Sequence, residues 1–152
     1  MNFKVKGFVE LTMRDTEGNI VEQRKIDNVV TNLGIGAITG LIGNVGTETA
    51  FTYLAVGTGV TAAEATDTAL EAEITNTGLA RAAATVTQET TTVTDDTLQL
   101  EYTWTATGAK AVTEVGTLNA ASAGILLGHT VFAAINTVNG FELTLKHKFV
   151  IS

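Results

Sequence analysis

The sequence predicts an all-β protein: an antiparallel β-sandwich with one short helix, jelly-roll-like, preceded by an N-terminal β-hairpin or arm. Three observations carry that expectation. Apolar and polar residues alternate with period two in several segments, which marks half-buried strands. Threonine is abundant along the whole chain, and Thr and Val favour strands. Proline is absent, so the breaks between segments fall on Gly, Asn and Asp, which build turns by other means.

The first element is "NFKVKGFVELTMRD". Phe3, Val5, Val9, Leu11 and Met13 share one parity, and Lys4, Lys6, Glu10, Thr12 and Arg14 take the other. "DTEGN" is a turn by composition, and "IVEQRKIDNVV" reads as the returning strand. This hairpin is too charged to be a central layer. "TNLGIGAITGLIG" follows, with Thr31 or Asn32 as a helix cap. Leu33, Ala37, Ile38, Leu41 and Ile42 then share a helical face. Each interior glycine weakens such a helix by roughly 1 kcal/mol relative to alanine. The helix therefore needs tight packing, with Gly34, Gly36 and Gly40 allowing close approach. Gly43-Asn44 is a natural stop.

"AFTYLAVGTG" is a strand ending in a glycine turn, and "VTAAEATDTALEAEI" holds a capped helical turn from Thr66 or Asp67. "LARAAATVTQ" is a strand of small residues, and Asp95-Asp96 makes the next hairpin turn. "LQLEYTWTAT" is the clearest strand, with Leu98, Leu100, Tyr102, Trp104 and Ala106 on one face. "AVTEVGTLNAASAGILLGHTVFAAI" reads as strand, turn at "NAASAG", and strand. "FELTLKHKFVIS" closes the chain, with Phe141, Leu143, Leu145, His147, Phe149 and Ile151 on one parity. About eight strands at short intervals form a sandwich pattern. Long connections such as 57–79 favour a jelly roll over simple hairpins. The one internal boundary falls near residue 31, between a hairpin or arm (1–30) and a sandwich body (31–152).

The chain has 152 residues, a net charge of −7 and a pI near 4.7. That length suits one domain with a real core. The phosphate backbone of a nucleic acid requires a basic stripe, so nucleic acid is not an expected partner. Residues 1–27 are electrically balanced, while the remaining four basic residues face eleven acids. With no cysteine, disulfides and thiolate zinc sites are excluded, and synthesis in a reducing compartment is permitted. Charges every few residues in "MNFKVKGFVELTMRD" argue against a secretory signal. The uncharged run 29–46 is too rich in Gly, Asn and Thr for a membrane span. Neither a membrane nor a membrane-bound state is expected.

The search for chemistry returns no catalytic group. "LGIGAITG" lacks the third glycine of a dinucleotide fingerprint, and no Gly-Lys-Ser/Thr occurs. His129 and His147 are the two histidines, and His147 sits on the apolar parity of the last strand, as a core histidine would. Ser122 and Ser152 stand in no nucleophile motif. The carboxylate pairs Glu71/Glu73, Asp95/Asp96 and Glu64/Asp67 read as turn residues and not as glycosidase or calcium groups. Trp104 and the other aromatics lie on core parity, so no stacking platform is exposed. No catalytic residue, metal site or cofactor is expected. By elimination the protein acts through its surface, as a binder or a structural part.

Several phrases resemble those of tailed-bacteriophage virion proteins. They are "NVVTNLGIGAITGLI", then "FTYLAVGTGVTAAEATDTALEAEI", Arg81 before the next strand, and "TEVGTLNAASAGILLGHTVF". The chain departs from the last pattern where Thr117 precedes Leu118 and Asn119 takes an aromatic position. The resemblance covers roughly residues 28–152. It implies a β-sandwich virion component, with capsid decoration (cement) proteins as the kind that suits a single small domain. Its implied partners are the major capsid protein and other copies of itself, a trimer in preference to a dimer. The implied location is the phage head surface, after synthesis in the host bacterial cytoplasm. Under this reading the hairpin meets the capsid or a neighbour through Phe3, Lys4, Lys6, Phe8, Arg14, Arg24 and Lys25. A tail, baseplate or fibre part and a carbohydrate-binding module are the alternatives.

Overall fold

The computed structural model describes residues 2–152. Ten strands and one helix follow in order: β1 (Val5–Arg14), β2 (Ile20–Asp27), β3 (Val29–Val30), α1 (Asn32–Gly43), β4 (Tyr53–Gly57), β5 (Ala82–Ala83), β6 (Thr85–Glu89), β7 (Thr97–Thr105), β8 (Lys110–Leu118), β9 (Leu126–Thr137) and β10 (Glu142–Ile151). They form two antiparallel five-stranded sheets, β2-β1-β10-β7-β6 and β3-β9-β8-β4-β5. The expected sandwich is present. Strands β8 and β9 pair in one sheet and β10 returns beside β7 in the other, so the β8–β9 pair is nested within the β7–β10 pair. The jelly-roll likeness is confined to that unit. Elsewhere β1–β2 and β6–β7 pair as sequential hairpins.

The hairpin is not an arm. β1 lies between β2 and β10 and pairs with β10 from Val5↔Ile151 to Arg14↔Glu142. Its odd parity enters the core, with Val9 and Leu11 fully buried. The charges of β1 all fit on its other face, because a strand can be half charged and still central. The same core takes Leu100 and Trp104 from β7, Leu143, Leu145 and Phe149 from β10, and Leu54, Val56, Val115 and Ile135 from the second sheet. No boundary at residue 31 divides this cluster.

A buried polar link runs between the sheets. Asn28 donates from Nδ2 to Nε2 of His147 at 2.8 Å. The ring is then protonated at Nδ1, which donates to Thr117 Oγ1 at 2.7 Å. His147 is fully buried and stacks on Phe149, with ring centroids 4.4 Å apart. Asn28 reaches it because Gly7 and Gly128 leave the space, since a Cβ at either would strike the Asn28 amide.

The helix is capped as the sequence indicates. Thr31 Oγ1 accepts from Gly34 N at 2.9 Å, and Asn44 ends the helix in the left-handed conformation. Its packing face matches the expected one only at Ala37, which is buried, and Ile38, which packs against the core. Gly34, Ala37 and Gly40 are buried, while Leu33, Leu41 and Ile42 are exposed, Ile42 to 72%. A Cβ at Gly34 would stand 2.8 Å from Leu127 Cα, so this glycine does permit close approach to β9. Gly40 instead makes room for the Glu48 carboxylate, and Gly36 faces open space. Tight backbone contact outweighs side-chain hydrophobicity here, which turns the larger residues outward.

Two further expectations fail. The segment 58–81 holds no helix from Thr66 or Asp67. "LARAAATVTQ" is not one strand: β5 pairs with β4 and β6 pairs with β7, so the chain changes sheets at Ala84. Because β1 is an inner strand, a chain lacking residues 1–27 is expected to lose cooperative folding. Circular dichroism with thermal melting checks this, and the full chain serves as the reference.

Candidate functional site

The two outer faces of the sandwich have different fates, and the difference begins with one carboxylate. Glu114 lies on the outer face of β8 and is fully buried. A buried carboxylate must be hydrogen-bonded to remain charged. Segment 58–73 supplies the donors. Gly59 N and Ala72 N donate to Oε1 at 2.9 and 2.7 Å, and Glu71 N donates to Oε2 at 3.0 Å. His129 Nε2, on the neighbouring β9, lies 2.9 Å from Oε2. Its Nδ1 lies 2.7 Å from Asp67 Oδ2, which also accepts from Glu64 N at 2.9 Å.

The rest of the segment is fixed in the same manner. Glu71 accepts from Val60 N and Thr61 N, both at 2.8 Å. Glu73 takes a bidentate contact from Arg81 at 2.8 and 2.5 Å, and Arg81 also donates to the carbonyls of Ala120 and Ala123. Leu70 packs against Ala55, Leu118 and Leu126 on the outer side of the sheet. Glu71, Glu73 and Asp67 therefore tie the segment's backbone, Arg81 and His129 together, while the Glu64 carboxylate is exposed and meets only Thr66 Oγ1 at 3.5 Å. Asp96 plays the same part in its turn, accepting from Thr91, Thr92 and Val93.

The two histidines are tuned in opposite directions. Burial disfavours a charged His129, but hydrogen bonds to Glu114 and then Asp67 outweigh it and raise its pKa. Burial likewise opposes charge on Glu114. The bond from His129 and those from Ala72, Glu71 and Gly59 outweigh it and lower its pKa. With both ring nitrogens facing carboxylates, His129 has no lone pair to offer as a base. His147 has no carboxylate beside it, and burial, helped by the charge on His129, holds it down to about 3. Among the described residues no cluster of three or more His, Asp or Glu side chains is arranged to hold a metal ion. No helix among them is long and apolar enough to cross a membrane.

The other outer face, that of the β2-β1-β10-β7-β6 sheet, carries no covering segment beyond the 90–96 turn, which closes over Thr97 at one end of β7. One row crosses four strands as Lys25, Glu10, Lys146 and Glu101, in that register. The signs alternate, which favours cross-strand pairing. Lys146 lies 3.8 Å from Glu101, and Lys148 lies 3.7 Å from Glu10. Phe8 sits in the adjacent row with Lys25 4.2 Å and Lys148 5.7 Å from its ring centre, a cation–π arrangement. A shallow depression of about 650 Å³ opens over Glu10, Thr12, Arg14, Gln23 and Lys146. With Lys6, Arg14, Glu142 and the marginal Asp27 and Glu89, five basic residues meet five acids on this face. The rest of the molecule carries the whole excess of −7.

The expected contact residues fall in three places. Lys6, Phe8, Arg14 and Lys25 share this balanced face. Phe3 and Lys4 lie at its end, where Lys4 exchanges backbone hydrogen bonds with Ser152 and Phe3 is exposed. Arg24 points the other way: it pairs with Glu22 and donates to the carbonyls of Ala133 and Ala134, closing one side of the sandwich. Lys146, Lys148, Glu10 and Glu101 belong to the face as well and were missed. The period-two pattern that puts His147 inward puts both lysines outward, so the signal was present. No family model, curated protein or solved structure matches the chain.

Stability should pass through a maximum near pH 6.5. A raised His129 contributes fully below its unfolded pKa of about 6.5 and loses that contribution as pH rises through the folded value. A depressed His147 contributes above 6.5 and loses it as pH falls towards 3, because only the unfolded chain binds that proton. Glu114 and Asp67 add a further loss below about pH 4. Urea midpoints measured across pH 4 to 9 check this. His129→Ala leaves Glu114 buried without its charged partner. It should cost about 3 kcal/mol at pH 6.5, and should remove the decline on the alkaline side.

Proposed function

We propose that the protein is a structural component of a tailed-phage particle, a decoration protein that lies on the outside of the head and braces it. Its partners are the major capsid protein and copies of itself, and it works without a cofactor or a chemical step. The observation that carries the reading is the uncovered, charge-balanced face of the β2-β1-β10-β7-β6 sheet on an otherwise acidic molecule. A broad face of fixed cross-strand charges with one aromatic among them suits docking on a protein lattice, since complementary charges set register and orientation. The ordered phrases that resemble virion proteins point the same way. The acidic remainder then faces solvent, and many modest contacts on one shell add through avidity.

Purified protein mixed with heads assembled without it tests the proposal. The wild type should co-sediment with the heads. Lys25→Glu combined with Lys146→Glu should weaken binding at least about tenfold, because it makes the central row uniformly acidic. Lys110→Glu, away from this face, should bind as the wild type does. Equal binding by all three proteins would contradict the docking role of the face, and no binding by the wild type would contradict the decoration reading.

A further inference from the structure

The two sheets have four edges, and among the described residues three are guarded. β3 and β5 are two residues each, too short to template another strand. β2 carries Glu22, Arg24, Lys25 and Asp27, and Arg24 reaches across to β9. Charge and a crossing side chain are recognised protections of an edge. β6, Thr85–Glu89, has neither: it is five residues long, uncharged until its last residue, and exposed from Thr85 to Gln88. It contains no proline, which would block a main-chain donor.

Beside this edge lies an apolar groove of about 240 Å³, lined by Val86 of β6 with Leu98, Phe149, Ile151, Leu41 and Ile42. Val86, Leu41, Ile42 and Ile151 are all substantially exposed. The open edge and the uncovered apolar surface are therefore one place. We propose that a second copy of this chain occupies it, with β6 pairing antiparallel to its own counterpart about a two-fold axis. Two identical edges meet through a two-fold. Centred on Thr87, the register sets Thr85 opposite Glu89, Val86 opposite Gln88, and Thr87 opposite itself. No like charges face one another, and the Glu89 carboxylate meets a threonine hydroxyl. The two five-stranded sheets become one continuous sheet, and the grooves on either side of the seam are covered. A three-fold ring built by sheet continuation would need two different open edges on each copy, and among the described residues the fold offers one. This inference stands on the edges themselves and does not depend on the virion reading.

Sedimentation and cross-linking of the full chain test it. The wild type should sediment as a dimer at micromolar concentration. Thr87→Lys sets two ammonium groups opposite each other at the axis, and should raise the dissociation constant at least about tenfold with an unchanged melting profile. The chain has no cysteine, so Thr87→Cys gives a single thiol. Directly opposed residues in an antiparallel pair lie about 4.5–5.5 Å apart at Cα, within disulfide range. Oxidation should link Thr87→Cys into a covalent dimer, while Gln23→Cys on the guarded edge should not link. A wild type that stays monomeric at high concentration, a trimer unaffected by Thr87→Lys, or equal linking at both cysteines would overturn the proposal.

Discussion

The structure depends most on a single buried charge. Glu114 sits on a strand whose outer side would otherwise be solvated, and it is fully buried. A carboxylate in that position is stable only with its lone pairs occupied. Three backbone N–H groups from the 58–73 segment and the ring of His129 occupy them. A long connection with no helix or ladder of its own is thereby fixed as a lid over one sheet. Gly57 and Gly59 belong to the same arrangement, because a Cβ at either would collide with the Glu114 side chain. One face of the sandwich is thus covered by the protein itself, and the other is left open.

Polar groups in this fold are used in two distinct ways. Inside, Asn28, His147 and Thr117 join the sheets through neutral hydrogen bonds. Such a network favours one packing of the two layers, since a shift would break both of its bonds; Asn28 Oδ1 is buried without a partner within it. Outside, the row of Lys25, Glu10, Lys146 and Glu101 is exposed enough that each pair contributes little to stability. Its worth lies in pattern. Alternating charges of this kind would set register and orientation in the docking proposed above.

Much of the architecture was legible in the sequence because strands with one wet face declare themselves. β1, β7 and β10 alternate cleanly, and the Asp95-Asp96 turn and the Thr31 cap follow from side-chain chemistry. The face of α1 was misread for a physical reason: hydrophobicity ranks Leu33 and Ile42 above glycine, while close backbone approach at Gly34 ranks them the other way. Membership of β1 in the core was obscured by its charges, which occupy only the outward parity. The 58–81 segment has no period, so its order could not be read from pattern. It comes from contacts with Glu114, His129 and Arg81. One signal for that site was available. Glu114 is the only formally charged residue between Lys110 and Glu142, and a lone acid in an apolar strand calls for a partner.

One self-covered face and one balanced open face are the features on which the proposed docking role rests. The proposed placement of the open face against a phage head is decided by electron cryo-microscopy of particles carrying the protein. Ordered density is expected on the outer surface of the head, repeated over the lattice, with β1 and β10 towards the shell and the Glu114-bound segment towards solvent. Density confined to the tail, or lattice contacts made through the 58–81 side, would contradict it.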